Sequence, residues 1–324
     1  MPYWELVTRS FRIAWDHKYL WLIALFSGEG GGASYNYSQS TSNTTRTTSP
    51  ADLQTQVQHA TSWLGSHVGL IVAIGVVWLL VIIAFFILAA VCEGATVRGA
   101  AEHDAGRPFG LRDAWRMGVY TMWKIARFRL LLLLLNLPLF LLIGGWVVGL
   151  IAAIANSSAQ AVVPLVLTGL LLLPVWLVYG TYLFFLDRYG TRAVVLEERM
   201  AVPALARANH LLSTRFGRSL LVWLLSIGVA IVVGIALACV FALALLPLFA
   251  IGAVIAVASG ASGPPWPLIV LGTVIVIPIS LLIGAYFSAQ GSTYWTLAFR
   301  RLDLDYAPAV AYPTAPQPPP GQPA

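Results

Sequence analysis

Residues 187–216 read DRYGTRAVVLEERMAVPALARANHLLSTRF, a polar stretch between two long apolar runs. With its flank it carries six of the nineteen Lys and Arg residues. A second stretch, residues 93–122, places its landmarks at the same spacing. With Glu93 and Asp187 as equivalent origins, an arginine follows five positions on, at Arg98 and Arg192, and a leucine eighteen on, at Leu111 and Leu205. Each leucine opens an amphipathic pattern. The apolar face predicted from the first runs Leu111, Trp115, Gly118, Met122. From the second it runs Leu205, Ala208, Leu212, Phe216. The chain's first residues repeat the pattern as Trp4, Val7, Phe11, Trp15. A basic or protonatable residue stands five positions after each start, at Arg9, Arg116 and His210. The membrane runs begin at Leu20, Leu130 and Leu220. Such matches in one register mark an internal repeat: an interfacial helix followed by a membrane hairpin, three times over, with units at about 2–93, 109–187 and 203–290.

Composition supports a membrane setting. The chain is 59% hydrophobic and only 10% charged, with a mean hydropathy of +0.80, against about 25% charged in soluble domains. Val68–Cys92 carries no charge over 25 residues, long enough to cross about 30 Å of hydrocarbon. Leu130–Ala155, Ala161–Leu186, Leu220 to about Ala258, and Leu268–Ala289 read as further spans. Pro247 is expected to end or bend the third of these. Tyr19–Phe26 is short and must borrow flanking residues or cross only partly. A secretory signal is disfavoured there because the leader contains Glu5 and Asp16. Residues 291–306 read as another interfacial helix. The predicted fold is thus an all-α multipass transmembrane bundle. It has about six membrane helices as three hairpins, each preceded by a cytoplasmic interfacial amphipathic helix, over residues 1–306. A polar outer loop is expected at 28–64. Residues 307–324, with seven prolines, form a disordered cytoplasmic tail.

Basic residues set the orientation. Three lie before the first run, one in the 28–65 loop, seven around the first connector, six around the second and two at the C-terminal side; the loops at 156–161 and 259–267 have none. Basic and non-basic sides alternate, which by the positive-inside rule places both termini and both connectors in the cytoplasm. The net charge of +6 is dealt out between apolar runs, which excludes a soluble nucleic-acid-binding patch. Anionic headgroups are the expected partners, and a homo-oligomer or a membrane-protein partner is compatible with a Gly145–Gly149 packing motif.

An amphipathic helix, a hairpin, then an acidic residue followed by Arg and the segment PALARANHLLSTRFGRSL, with its counterpart LRDAWRMG, resemble bacterial six-helix membrane proteins of uncharacterised activity. These include the membrane region attached to some glycerophosphodiester phosphodiesterases. The resemblance covers about residues 2–300 and implies a bacterial cytoplasmic (inner) membrane protein. It does not imply the phosphodiesterase activity, since no soluble stretch is long enough for that enzyme's barrel.

The candidate charged residues are Glu93, Arg98, Arg116, Asp187, Arg192 and Arg207. Glu93 and Asp187 are expected to pair with the arginine five positions on or with a base of the neighbouring unit, pinning hairpins together. Glu102-His103-Asp104 and Glu197-Glu198 read as solvated loop. Cys92 and Cys239 read as packing residues. No nucleophile with a partner base, no metal-ligand spacing and no cofactor motif occurs, so no catalytic, metal or cofactor residue is named and the chain reads as non-catalytic. Two function classes follow: organising lipids or partner proteins at the membrane, or transport along a path lined by Asn136, Ser226, Thr273 and Ser280. The absence of ionisable residues from the spans weighs against ion-coupled transport.

Overall fold

In a computed structural model, residues 3–27, 67–155, 159–259 and 266–304 are described, and among them every element is helical with no strand. The helices are α1 (Tyr3–Asp16), α2 (Tyr19–Ala24), α3 (Val68–Asp104), α4 (Leu111–Ala155), α5 (Ala159–Leu196), α6 (Ala201–Thr214), α7 (Phe216–Ser259) and α8 (Trp266–Leu304). The expected outer loop, the Pro-rich tail and the crossing between α2 and α3 lie outside the described residues. Among the described residues, four helices are long and apolar enough to cross a membrane: α3, and α4, α5 and α7 over Leu111–Ile154, Val162–Leu196 and Phe216–Leu243.

The burial pattern along α3 divides the molecule in two. Residues 72–87 are exposed all round, whereas the thirteen residues from Ala90 to Glu102 are all buried. A helix buried on every side sits at the centre of a packed body. The same change occurs near Leu183 on α5 and near Ala285 on α8. The protein is therefore a dense head, built from one end of the long helices together with α1, α2 and α6, and a set of apolar shafts. Leu133, Leu134, Leu170, Leu171, Val232 and Leu243 all lie open on those shafts. In water so much exposed apolar surface would aggregate; in hydrocarbon it costs nothing.

Small residues bring the head helices close. A Cβ on Gly118 of α4 would strike the Val91 carbonyl of α3, and one on Gly94 of α3 would strike the Thr121 hydroxyl of α4. Gly190 of α5 lies under the Phe128 ring in the same manner. Phe185, Tyr189, Trp295 and Phe299 fill the space between α5 and α8, with Trp295 edge-on to Phe185 at 6.2 Å. Each such buried side chain contributes about 2 kcal/mol of transfer free energy.

Several expectations change here. The first half of α4 is not a separate interfacial helix: residues 111–155 form one continuous helix of 45 residues, which extends roughly 42 Å beyond Arg127. Residues 291–304 are likewise the buried end of α8, not an interfacial helix. Pro247 does not end α7, which continues to Ser259. The first apolar run forms only the six-residue α2, whose Leu20, Ile23 and Ala24 are buried in the head. The predicted apolar faces are displaced in part: Val7, Gly118, Ala208 and Leu212 are buried as expected, but the largest side chains are not. Trp4, Trp15, Leu111, Trp115 and Phe216 are exposed, and the core takes Val7, Ser10 and Ala14 from α1, Ala114 and Gly118 from α4, and Ala204, Ala208 and Leu212 from α6.

Candidate functional site

Among the described residues, the charged side chains gather in the head, and there they are organised. Glu93, buried on α3, forms an ion pair with Arg129 of α4, which also donates to the Ser27 carbonyl at 3.0 Å. Glu93 thus meets a base on another helix. Arg98 pairs within its own helix with Glu102 at 3.0 Å, and Arg107 reaches the other oxygen of Glu102 at 3.0 Å. Arg192 is the largest fully buried side chain; it donates to the Arg188 carbonyl at 3.0 Å and to Ser292 of α8 at 3.4 Å. Asp187, also on α5, is half-buried at the entry to the same buried segment. Arg116 stays at the surface, 3.4 Å from Asp113.

The ends of α3, α5 and α8 are each tied to another helix of the head. Asp104, the last residue of α3, takes Arg9 of α1 at 2.7 Å and Arg300 of α8 at 2.6 Å. Glu198, just beyond α5, takes Lys124 of α4 at 3.8 Å. Asp303, near the end of α8, takes Arg207 of α6, which also holds Glu197 at 3.2 Å. Asp104 and Glu198 occupy one register, eleven positions after Glu93 and Asp187. Glu102, Asp104 and Glu197 are therefore ion-pair partners and not solvated loop. Burial alone would lower the pKa of Arg207, but the Glu197 and Asp303 carboxylates outweigh it and raise the pKa above its ordinary value.

A second cluster joins α1, α2 and α3. The rings of His17 and His103 stack with centroids 3.4 Å apart, and the Tyr19 hydroxyl lies 2.6 Å from His103 Nε2. His103 stands eleven residues beyond the apolar run that ends at Cys92. Burial, and then the neighbouring His17, push its pKa down to about 4. No local spacing reveals this cluster, because His103 lies 84 positions from Tyr19 and farther still from His17.

At the border of head and shaft, α4 shows Tyr120, Trp123 and Arg127 outward, while Lys124 is mostly buried beside Glu198. Lys124 Nζ lies 5.1 Å from the Tyr120 ring centre, and the Arg127 guanidinium 5.2 Å from that of Trp123. Both rings are more than half exposed. Of the residues expected to line a transport path, Asn136 donates to the Leu132 carbonyl at 3.0 Å and Ser226 to Trp223 at 2.7 Å, each within its own helix. Ser280 is half-buried, and the Thr273 side chain is outside the described residues. An apolar cavity of about 550 Å³ opens on the shaft of α5, lined by Pro174, Val175, Val178, Tyr179 and Tyr182. Among the described residues no group of three or more His, Cys, Asp or Glu is placed to hold a metal.

These features define an all-helical protein with helices suited to crossing a membrane and a charge-stitched head at one end. The chain belongs to a family of unknown function, DUF7544, whose model matches residues 7–307. No curated protein and no solved structure matches it.

Proposed function

We propose that the protein is a non-catalytic integral protein of the bacterial cytoplasmic membrane that gathers anionic lipids around its head. In this reading the chain crosses six times as three hairpins, with both termini and both basic connectors inside, as the alternation of basic and non-basic segments requires. The resemblance to uncharacterised bacterial six-helix membrane proteins fits the same reading.

The observation that carries it is the outward face of α4 at the head–shaft border. Tyr120 and Trp123 hold Lys124 and Arg127 over their rings immediately before the exposed apolar run that starts at Leu130. Aromatic rings of this kind settle at the headgroup level, and each base near an anionic surface adds about 1 kcal/mol of attraction. Arg112 and Arg116 continue the basic face away from the shaft.

The test is native mass spectrometry of the purified full chain released from bilayers of mixed composition. Retained lipid should be enriched in anionic headgroups over zwitterionic ones. The enrichment should fall when Lys124 and Arg127 are both changed to Gln. Equal retention of both classes overturns the proposal, and a stoichiometric second protein in the spectrum moves the reading to a partner-binding role.

A further inference from the structure

We propose that His17 and His103 form a pH-responsive latch that clasps the N-terminal pair α1–α2 onto the end of α3 at neutral pH and releases it on acidification. The inference does not depend on the lipid reading.

The geometry is specific. His17 sits in the link between α1 and α2, and its Nδ1 donates to the Ile13 carbonyl at 3.1 Å, which leaves Nε2 as its acceptor. Its ring lies against that of His103, tilted by only 25°. On the far side, Phe109 meets His103 edge-on at 6.4 Å. Tyr19, the first residue of α2, bonds His103 Nε2 and stands edge-on to His17 at 6.4 Å. Beneath them Leu20 is fully buried, and a Cβ on Gly99 of α3 would lie 3.0 Å from it. The histidine stack thus closes over the contact of α2 with α3.

Two neutral imidazoles stack readily; two imidazolium ions at this separation repel. The carboxylates that could have stabilised a charged His103 are already engaged. Glu102 of α3 is held by Arg98 and Arg107, and Asp104 of α3 by Arg9 of α1 and Arg300 of α8. Asp113 of α4 is held by Arg116 and acts on the cluster through Tyr19. Lys18, beside His17 in the chain, adds positive charge. The proton is therefore refused while the latch is closed and accepted once it opens. The sign follows: His103 is held at about 4 against an ordinary 6.5, so the open form binds more protons. Opening is favoured increasingly as the pH falls from 6.5 toward 4.

Hydrogen–deuterium exchange of the full chain in lipid nanodiscs at pH 7.5 and 5.0, corrected for the intrinsic chemical rate, reads the latch directly. Protection of residues 17–25 should drop on the order of tenfold at the lower pH, while residues 204–212 of α6 keep theirs. In His103→Gln the pH dependence of residues 17–25 should vanish. Unchanged protection in the wild type, or the same pH dependence in His103→Gln, overturns the latch. Should that variant not fold, NMR titration of His103 in the wild-type protein decides: a midpoint well below 6.5 supports the latch, and a midpoint at or above 6.5 overturns it.

Discussion

Arg207 of α6 and Asp303 of α8 are bonded across 96 positions of sequence, and the same guanidinium holds Glu197 at the end of α5. Three helices meet in one side chain that is only 15% exposed. Removing that cation leaves two partly buried carboxylates facing each other. Arg207→Met should therefore lower stability by about 3 kcal/mol. The shift would appear as a lower apparent midpoint in thermal unfolding of the detergent-solubilised chain at fixed scan rate. Arg207→Lys, which keeps the charge but cannot fork between two acids, should lie between the two. A midpoint for Arg207→Met within error of the wild type would mean that the cluster is solvated.

The crossing of α3 and α4 depends on the missing side chain at position 118. A Cβ there would meet the Val91 carbonyl, which is helix backbone and cannot swing aside. Gly118→Ala should cost about 1–3 kcal/mol through forced separation of the two helices. Gly144→Ala, on the same helix in open space, should be neutral or slightly stabilising, because alanine is the better helix former. Comparable midpoints for the two variants would place the crossing wrongly.

The same crossing shows what the sequence conveys and where it falls short. Charge-free runs such as Val68–Cys92 announce their helices, and the register of Glu93 and Asp187 leads on to Asp104 and Glu198, both tied to a base in the structure. Helix continuity past the apolar runs is not announced. The segment Glu93–Asp104 is polar enough to read as a connector, yet its Gly94, Gly99, Ala100 and Ala101 let neighbours press against the backbone. The amphipathic faces misread for a related reason. Trp4, Trp15 and Trp115 look like core residues by hydrophobicity, but a head packed this closely accepts Ser10, Ala14 and Ala114 and turns the large rings outward. The ties Arg9–Asp104, Lys124–Glu198 and Arg207–Asp303 span 95, 74 and 96 positions and leave no local trace.

Asn136 separates the lipid-organising reading from a transport path. Its amide donates to Leu132 one turn back and is satisfied within α4. Asn136→Leu removes donor and acceptor together, so it should leave the apparent unfolding midpoint unchanged or raise it slightly. It should also leave the retained lipid profile in native mass spectrometry unaltered. A fall in the midpoint comparable to that of Arg207→Met would show that Asn136 makes a polar contact across helices, as a lined path requires.

The orientation can be tested at positions the structure leaves accessible. Residues 95–102 fall in the basic connector by sequence, yet they are buried in the head and would resist labelling from either side. Arg116 and Val202 are exposed on the head, and they are the informative sites. With Cys92 and Cys239 replaced by Ala, Arg116→Cys and Val202→Cys should react with an impermeant maleimide only when the cytoplasmic face is open to it. Ser40→Cys should react in intact cells. The linkage between these sites is what makes the test sharp: Arg9 and Lys124 are tied to helix ends in the same head, so α1, the N-terminal part of α4 and α6 are expected on one side of the membrane. Labelling of Ser40→Cys from the cytoplasmic face, or of Val202→Cys in intact cells, would invert the arrangement and with it the placement of the basic α4 face against cytoplasmic lipid.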